Sequence, residues 1–419
     1  MLHRHVGRRA VITSALAATA GALLAGGAGA PAAAQARGTA DGITLRLPAP
    51  TGPYRTGITT LYLVDRARRD PLEPRIPVRE VMATVFYPAR TVRGCPRAPQ
   101  MTAGAAADFG ADGRRSHPEL PASGVNWAAT MTHSYTGAPA FAARRRPVLL
   151  YSPGGGDPRT MGTCVAEDLA SHGYVVVTVD HPGDACEVEF PVTMTGRDTV
   201  RPTVLRYDPR TDPALFRTLI DTRVADLRFV LGRLEELTAG QNPDAAGRPL
   251  PEHLGRALDL RSTGVYGHSA GGTAAALAMD EDRRIGAAAD LEGYLDRAPE
   301  TPGGLGELYA VARYGADRPL LLLGTDGFHD RKGLEHSWPA ALAHSQGRAS
   351  RRQLGHAAHW AFTDYAVLAP RLQAAGLMTA ADRAKLVGTA PAVPAVRHHL
   401  RSFFARHLPA HRSGTAAHG

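Results

Sequence analysis

Ser262-Thr263-Gly264-Val265-Tyr266-Gly267-His268-Ser269-Ala270-Gly271-Gly272-Thr273-Ala274-Ala275-Ala276-Leu277-Ala278-Met279 runs from a β-prone stretch, through a glycine-flanked serine, into a helix-prone one. Strand, tight turn and helix in that order are the setting of a nucleophile elbow, where Gly-x-Ser-x-Gly lifts a serine to the top of a sheet. Gly267 and Gly271 withdraw the side chains that would crowd such a turn. Ser269 Oγ then stands exposed, and the backbone N–H of Ala270 points where an oxyanion would form. The bare spacing also arises by chance in small-residue packing turns; the strand before it and the helix after it favour the catalytic reading.

The rest of the chain supplies the sheet that such an elbow needs. Strand patterns occur at 43–47, 58–64 and 78–87, then at Pro147-Val148-Leu149-Leu150-Tyr151, 174–179, 285–291, 319–323 and 350–354. Helical patterns lie between and after them, at about 159–172, 215–238, 337–346 and 393–407. Strands that read as continuous apolar runs and alternate with helices predict a mostly parallel sheet covered on both faces, an α/β-hydrolase fold. One domain is expected over 37–407, with a flexible tail at 408–419. Residues 88–146, rich in Ala, Gly, Pro and Arg with little periodicity, read as an irregular insertion placed to shape the acyl pocket.

Composition narrows the class. A 419-residue chain with 44% hydrophobic residues can bury a sizeable core, and 45 Gly with 32 Pro fall short of a disordered composition. The formal charge of +9 is carried almost wholly by arginine, Lys332 and Lys385 being the only lysines. Without Arg4, Arg8 and Arg9 of the N-terminal leader it is about +6. The remaining arginines are scattered and no nucleic-acid motif accompanies them, so the reading is a solvated basic surface with, at most, transient contact with anionic lipid. Arg8-Arg9 ahead of a weakly apolar run to about Ala30, with Ala34-Gln35-Ala36 as a cleavage site, reads as an export signal over 1–36, in the style of the twin-arginine route. Export puts Cys95, Cys164 and Cys186 in an oxidising compartment, where Cys164 and Cys186, flanking one helix–strand unit, are the pair a disulfide could join. No CxxC or Cys/His cluster points to a metal, and no cofactor is expected.

A serine nucleophile needs a base, an orienting acid and two oxyanion donors. His359, late in the chain and after strand 350–354, suits the base, with His356 its near competitor. Asp290 and Glu292 follow the strand after the elbow helix, and Asp326 and Asp330 follow the next one. All four could equally be ordinary strand-end carboxylates, and the residues alone do not choose among them. Besides Ala270, the second oxyanion donor is expected from Gly154-Gly155-Gly156 after strand 147–151, with Gly155 the choice. The triple glycine is no phosphate loop, since no Gly-Lys-Ser/Thr follows it.

Several of these stretches resemble the secreted platelet-activating factor acetylhydrolases, and the bacterial members in particular. They are Tyr151-Ser152-Pro153-Gly154-Gly155-Gly156 through Arg159-Thr160, Asp168 to Tyr174, Val179-Asp180-His181, Gly267 to Gly272, Glu281-Asp282-Arg283-Arg284 and His359 to Tyr365, with Thr132-His133-Ser134-Tyr135 in the variable region. The resemblance covers roughly 78–365. It implies a serine esterase acting on short-chain acyl esters, the sn-2 acyl group of a phospholipid among them. It also implies that the acid follows the strand after the nucleophile helix, which falls on Glu292, where the family usually has Asp; Asp326 and Asp290 rank behind it. General carboxylesterases, lipases and polyester hydrolases share this core, and a non-catalytic binding protein on the same fold is the remote alternative.

Overall fold

The computed structural model describes residues 42–408. The expected leader, 1–36, lies outside the described residues, as does the tail from 409 on. Ten strands form one sheet: β1 (Thr56–Asp65), β2 (Arg79–Pro88), β3 (Arg97–Pro99), β4 (Met131–Thr136), β5 (Arg146–Ser152), β6 (Val175–Val179), and, past the two-residue ribbon β7 (Val188–Glu189) and β8 (Val200–Arg201), β9 (Leu258–His268), β10 (Ile285–Leu291), β11 (Leu320–Thr325) and β12 (Ala349–Leu354). Their spatial order is β12-β11-β10-β9-β5-β6-β2-β1-β4-β3. The six strands from β6 to β12 in that order are mutually parallel, while β2 joins β6, and β1 joins β2, antiparallel.

Helices cross over between strands: α1 (Ala103–Asp112), α2 (Thr163–Ser171), α3 (Pro213–Thr238), one-turn α4 (Leu254–Ala257), α5 (Ala270–Glu281), one-turn α6 (Ala310–Arg313), α7 (Lys332–His344), α8 (Tyr365–Ala374), α9 (Ala380–Val387) and α10 (Val393–His407). Successive residues of a strand serve opposite layers. Val148 and Leu150 of β5 pack with Val265 beneath α3 and α5. Leu149 and Tyr151 pack with Tyr266 beneath α2 and α10. Burial on both faces is why these strands read as unbroken apolar runs. The longest helix, α3, begins where Asp212 accepts the N–H groups of Ala214 and Leu215 ahead of a proline at its first position, a cap that contributes about 1 kcal/mol.

Two expectations change. Ile43–Leu47 alternates like a strand, and Leu45 and Leu47 are indeed buried, but they lie against Phe109 and Tyr365, and the segment has only a bridge from Ile43 to Val125. Alternation there records burial, not a ladder. Cys95, Cys164 and Cys186 are all free. The 88–146 stretch is mostly loop and carries α1, β4 and the edge strand β3. Among the described residues no helix is long and apolar enough to cross a membrane.

One topological fact locates the site. β6 lies on one side of β5 and β9 on the other, so the chain reverses direction across the sheet beside β5. The crevice outside the carboxyl ends of strands at such a reversal is where α/β sheets bind ligands.

Candidate active site

Ser269 stands between β9 and α5 with φ 54° and ψ −123°, a left-handed backbone that serine adopts only where its surroundings force it. Space dictates the flanking glycines: a Cβ at 267 would lie 2.0 Å from the Gly271 carbonyl oxygen, and one at 271 would lie 2.1 Å from that of Ser152. The Ser269 N–H donates to the carbonyl of Leu291 at 2.9 Å, which stitches the elbow to the end of β10. Ala270 opens α5, so its N–H has no partner within the helix and sits at the positive end of the helix dipole.

His359 follows β12 and lines the same cavity as Ser269. Its Nδ1 is 2.9 Å from Glu292 Oε2. With Nδ1–H donating to the carboxylate, Nε2 is the ring nitrogen left for other chemistry. The ring is stacked on Phe328, 4.3 Å between centroids and 18° apart in plane, and Trp360 meets it edge-on. Glu292 is wholly buried at φ 65°, directly after β10. Its Oε1 accepts from both the backbone N–H and the hydroxyl of Thr325 on β11. Gly324, the residue before Thr325, lies under Trp338, where a Cβ would come within 3.2 Å of the indole ring.

The other carboxylates are engaged elsewhere. Asp290 Oδ1 accepts the Gly293 N–H at 2.6 Å and closes the turn beneath the elbow; burial pushes its carboxyl well above the usual range. Asp326 accepts the backbone N–H groups of His356 and Ala357 at 2.8 and 3.1 Å, which hold it below its ordinary value, and so anchors the loop leading to His359. Asp330 takes the Tyr294 hydroxyl at 2.9 Å. Of the four, Glu292 alone bonds His359.

The cavity measures about 430 Å³ and contains Gly155, Ser269, Ala270 and His359 in its wall. A Cβ built on Gly155 would lie 4.0 Å from that of Ala270, so the two candidate donors stand side by side. Tyr207, Phe216, Tyr294, Phe328 and Trp360 make much of the wall aromatic, and Arg115, Arg206 and Arg210 line it too. Among the described residues no cluster of His, Cys, Asp and Glu is arranged to hold a metal ion.

Against known proteins, the model of the family "Platelet-activating factor acetylhydrolase, isoform II" matches residues 125–382. The chain belongs to that family. It is an esterase of the α/β-hydrolase fold. A probable 1-alkyl-2-acetylglycerophosphocholine esterase of Arthroderma benhamiae is 26% identical over 376 residues, covering 85% of this chain and 87% of its own. The structure of a ferulic acid esterase from Streptomyces cinnamoneus is 32% identical with a TM-score of 0.64, over 89% of this chain and 97% of that one.

Two residues around the site escaped sequence reasoning. His268, inside the quoted elbow, is wholly buried, and its Nε2–H donates to the His359 carbonyl at 2.9 Å, which fixes the backbone under that ring. Burial holds its imidazole well below the usual value, with His359 adding to the effect, so it stays neutral. Thr325 had no signal at all, because a threonine ending an apolar strand looks like any other strand residue.

Proposed function

We propose that Ser269, His359 and Glu292 form a catalytic triad that cleaves carboxylic esters through an acyl-enzyme, with the Gly155 and Ala270 N–H groups as oxyanion hole. Ser269 Oγ attacks the ester carbonyl while its proton passes to His359 Nε2. Glu292, hydrogen-bonded to Nδ1–H, orients the ring and stabilises the imidazolium. The tetrahedral oxyanion rests on the two N–H groups, and His359 then protonates the departing alkoxide. Water, deprotonated by the same histidine, releases the acid and restores Ser269. Two preorganised donors supply several kcal/mol of transition-state stabilisation, about 10²- to 10³-fold in rate for each. The observation that carries the reading is the left-handed Ser269 sharing one cavity with the Glu292-bonded His359.

The preferred substrates are short-chain acyl esters, including an sn-2 acetyl group on a glycerophospholipid. Family membership and the fungal relative's name support this choice. A second reading, esters of aromatic acids, draws on the aromatic wall of the cavity and on the likeness to a ferulic acid esterase. Purified enzyme assayed on p-nitrophenyl esters from acetate to palmitate, then on an sn-2 acetyl phospholipid and on methyl ferulate, separates the two. A short-chain optimum with phospholipid preferred supports the first; a higher kcat/KM on methyl ferulate moves the assignment to the second. Activity in Ser269→Ala equal to the wild type overturns both.

Export through the Arg8-Arg9 leader is part of the proposal, on the strength of the apolar run and the Ala34-Gln35-Ala36 site behind it. N-terminal sequencing of the extracellular protein should begin at Arg37, and an intact Met1 terminus on intracellular protein refutes it.

A further inference from the structure

The loop that carries Gly155 is tethered from below by a buried ion pair that takes no part in the triad. Arg223, on α3, is wholly buried. Its guanidinium donates to the carbonyls of Pro153 at 2.6 Å and Gly154 at 3.0 Å, and to Ser152 Oγ at 3.2 Å. Its Nε donates to Asp184 Oδ2 at 2.6 Å, while Asp184 Oδ1 accepts the N–H of Gly156 at 3.1 Å. The carbonyls before Gly155 and the N–H after it are therefore all taken, and the N–H of Gly155 itself has no hydrogen-bond partner among the described residues.

We propose that Arg223, held by Asp184, is a positioning residue that aims the Gly155 N–H into the oxyanion hole. This inference rests on the proposed roles of Ser269 and Gly155. The Gly154 carbonyl and the Gly155 N–H belong to one peptide plane and point in opposite directions when the bond is trans. Drawing the carbonyl down onto buried Arg223 turns the N–H the other way, towards the cavity wall shared with Ala270 and Ser269. Within the loop that plane has one other tie, the Asp157 N–H donating to the Gly154 carbonyl at 3.2 Å, and the three glycines add little stiffness of their own, because glycine populates both signs of φ almost equally. A donor fixed in advance costs no reorganisation when charge develops on the substrate oxygen. A cation on the carbonyl side also polarises the peptide and strengthens its N–H as a donor. A purely structural buried ion pair would contribute to stability and leave the chemical step untouched.

The two roles separate in kinetics. Arg223→Lys keeps a cation beside Asp184 but loses the fork that spans two carbonyls; Arg223→Ala removes it; Asp184→Asn frees the far side of the fork. Each is assayed for kcat, KM, Tm and Ki of an aryl trifluoromethyl ketone, which adds to Ser269 Oγ as a hemiketal whose oxygen occupies the hole. The expected result is kcat down about tenfold in Arg223→Lys and about 100-fold in Arg223→Ala, with KM little changed and Ki rising in proportion to the loss in kcat. Millimolar guanidinium should restore part of the activity of Arg223→Ala. Should that variant not fold, Arg223→Lys and Asp184→Asn carry the test. A folded Arg223→Lys with wild-type kcat and Ki overturns the inference while an inactive Ser269→Ala leaves the triad standing. A fully active Ser269→Ala overturns the functional reading and this inference together.

Discussion

Thr325 donates to Glu292 twice, from its backbone N–H and from its hydroxyl at 2.8 Å, across the step from β10 to β11. One carboxylate oxygen is thus held by the sheet, and the other reaches His359 at 2.9 Å. Thr325→Val keeps the shape and the backbone bond and deletes the hydroxyl. A hydrogen bond to a charged group contributes about 1.5 kcal/mol or more, so turnover should fall by about tenfold. Steady-state kinetics on p-nitrophenyl acetate beside a circular-dichroism melt will show whether the loss is catalytic; unchanged kcat refutes it.

Removing the charge of the acid itself should cost far more. Glu292→Gln is expected to lower kcat by about 10³- to 10⁴-fold with the fold intact, because the histidine loses both its tautomer control and its counter-charge. Asp326→Asn, which weakens two backbone contacts to the loop before His359, should lower Tm and spare most of the turnover. The reverse pattern would move the acid to Asp326.

Two wholly buried imidazoles make stability depend on pH. Burial pushes both His268 and His181 below the ordinary histidine value. As the pH falls through about 6.5, the unfolded chain takes up protons that the native state refuses, so stability is full above that value and declines below it. Buried carboxyls held above their usual range, Asp290 and Asp364 among them, act in the opposite sense over the same window, so the histidine share is read by difference. His268→Gln, which keeps a donor for the His359 carbonyl, should lose less urea midpoint than the wild type between pH 7.5 and pH 5.5; an equal change in the variant would show that His268 does not contribute.

Backbone strain at the nucleophile predicts an ordering of inactive variants. A non-glycine residue at φ 54° costs on the order of 1–3 kcal/mol. Ser269→Gly and Ser269→Ala both lose the hydroxyl, but only glycine relaxes that conformation. Ser269→Gly should melt about 1–3 °C above Ser269→Ala by differential scanning calorimetry, the larger unfolded-state entropy of glycine offsetting part of the gain. Equal melting temperatures would mean that the turn stores little.

The elbow was legible because its glycines answer a steric demand that any sequence must meet in the same way. His359 was legible from its place after the last strand. The proposed acid was not, since four carboxylates end neighbouring strands, and only the family resemblance ranked Glu292 ahead of Asp326 and Asp290. Arg223 and Asp184 meet 39 residues apart along the chain, and neither carries a local pattern that announces the other. Boundaries of β5, β6 and β11 were readable from uninterrupted apolar runs, whereas β9 begins four residues before the Ser262 start read from sequence and β12 is largely polar. β3 has only three residues, β4 buries Thr132 and Ser134 instead of apolar side chains and so shows no hydrophobic alternation, and Ile43–Leu47 misled because a buried extended segment alternates whether or not it pairs.

The cavity wall is assembled from pieces of different standing. The proposed triad comes from turns after β9, β10 and β12 and is bound into the sheet by Leu291, Thr325 and Asp326. Arg115 and Ser116 come from the 88–146 insertion, and Leu205 to Arg210 from the run ahead of α3. A change of side chain in those two segments reshapes what the cavity admits without touching a strand end, so what the site takes in and what it does to it are open to separate alteration.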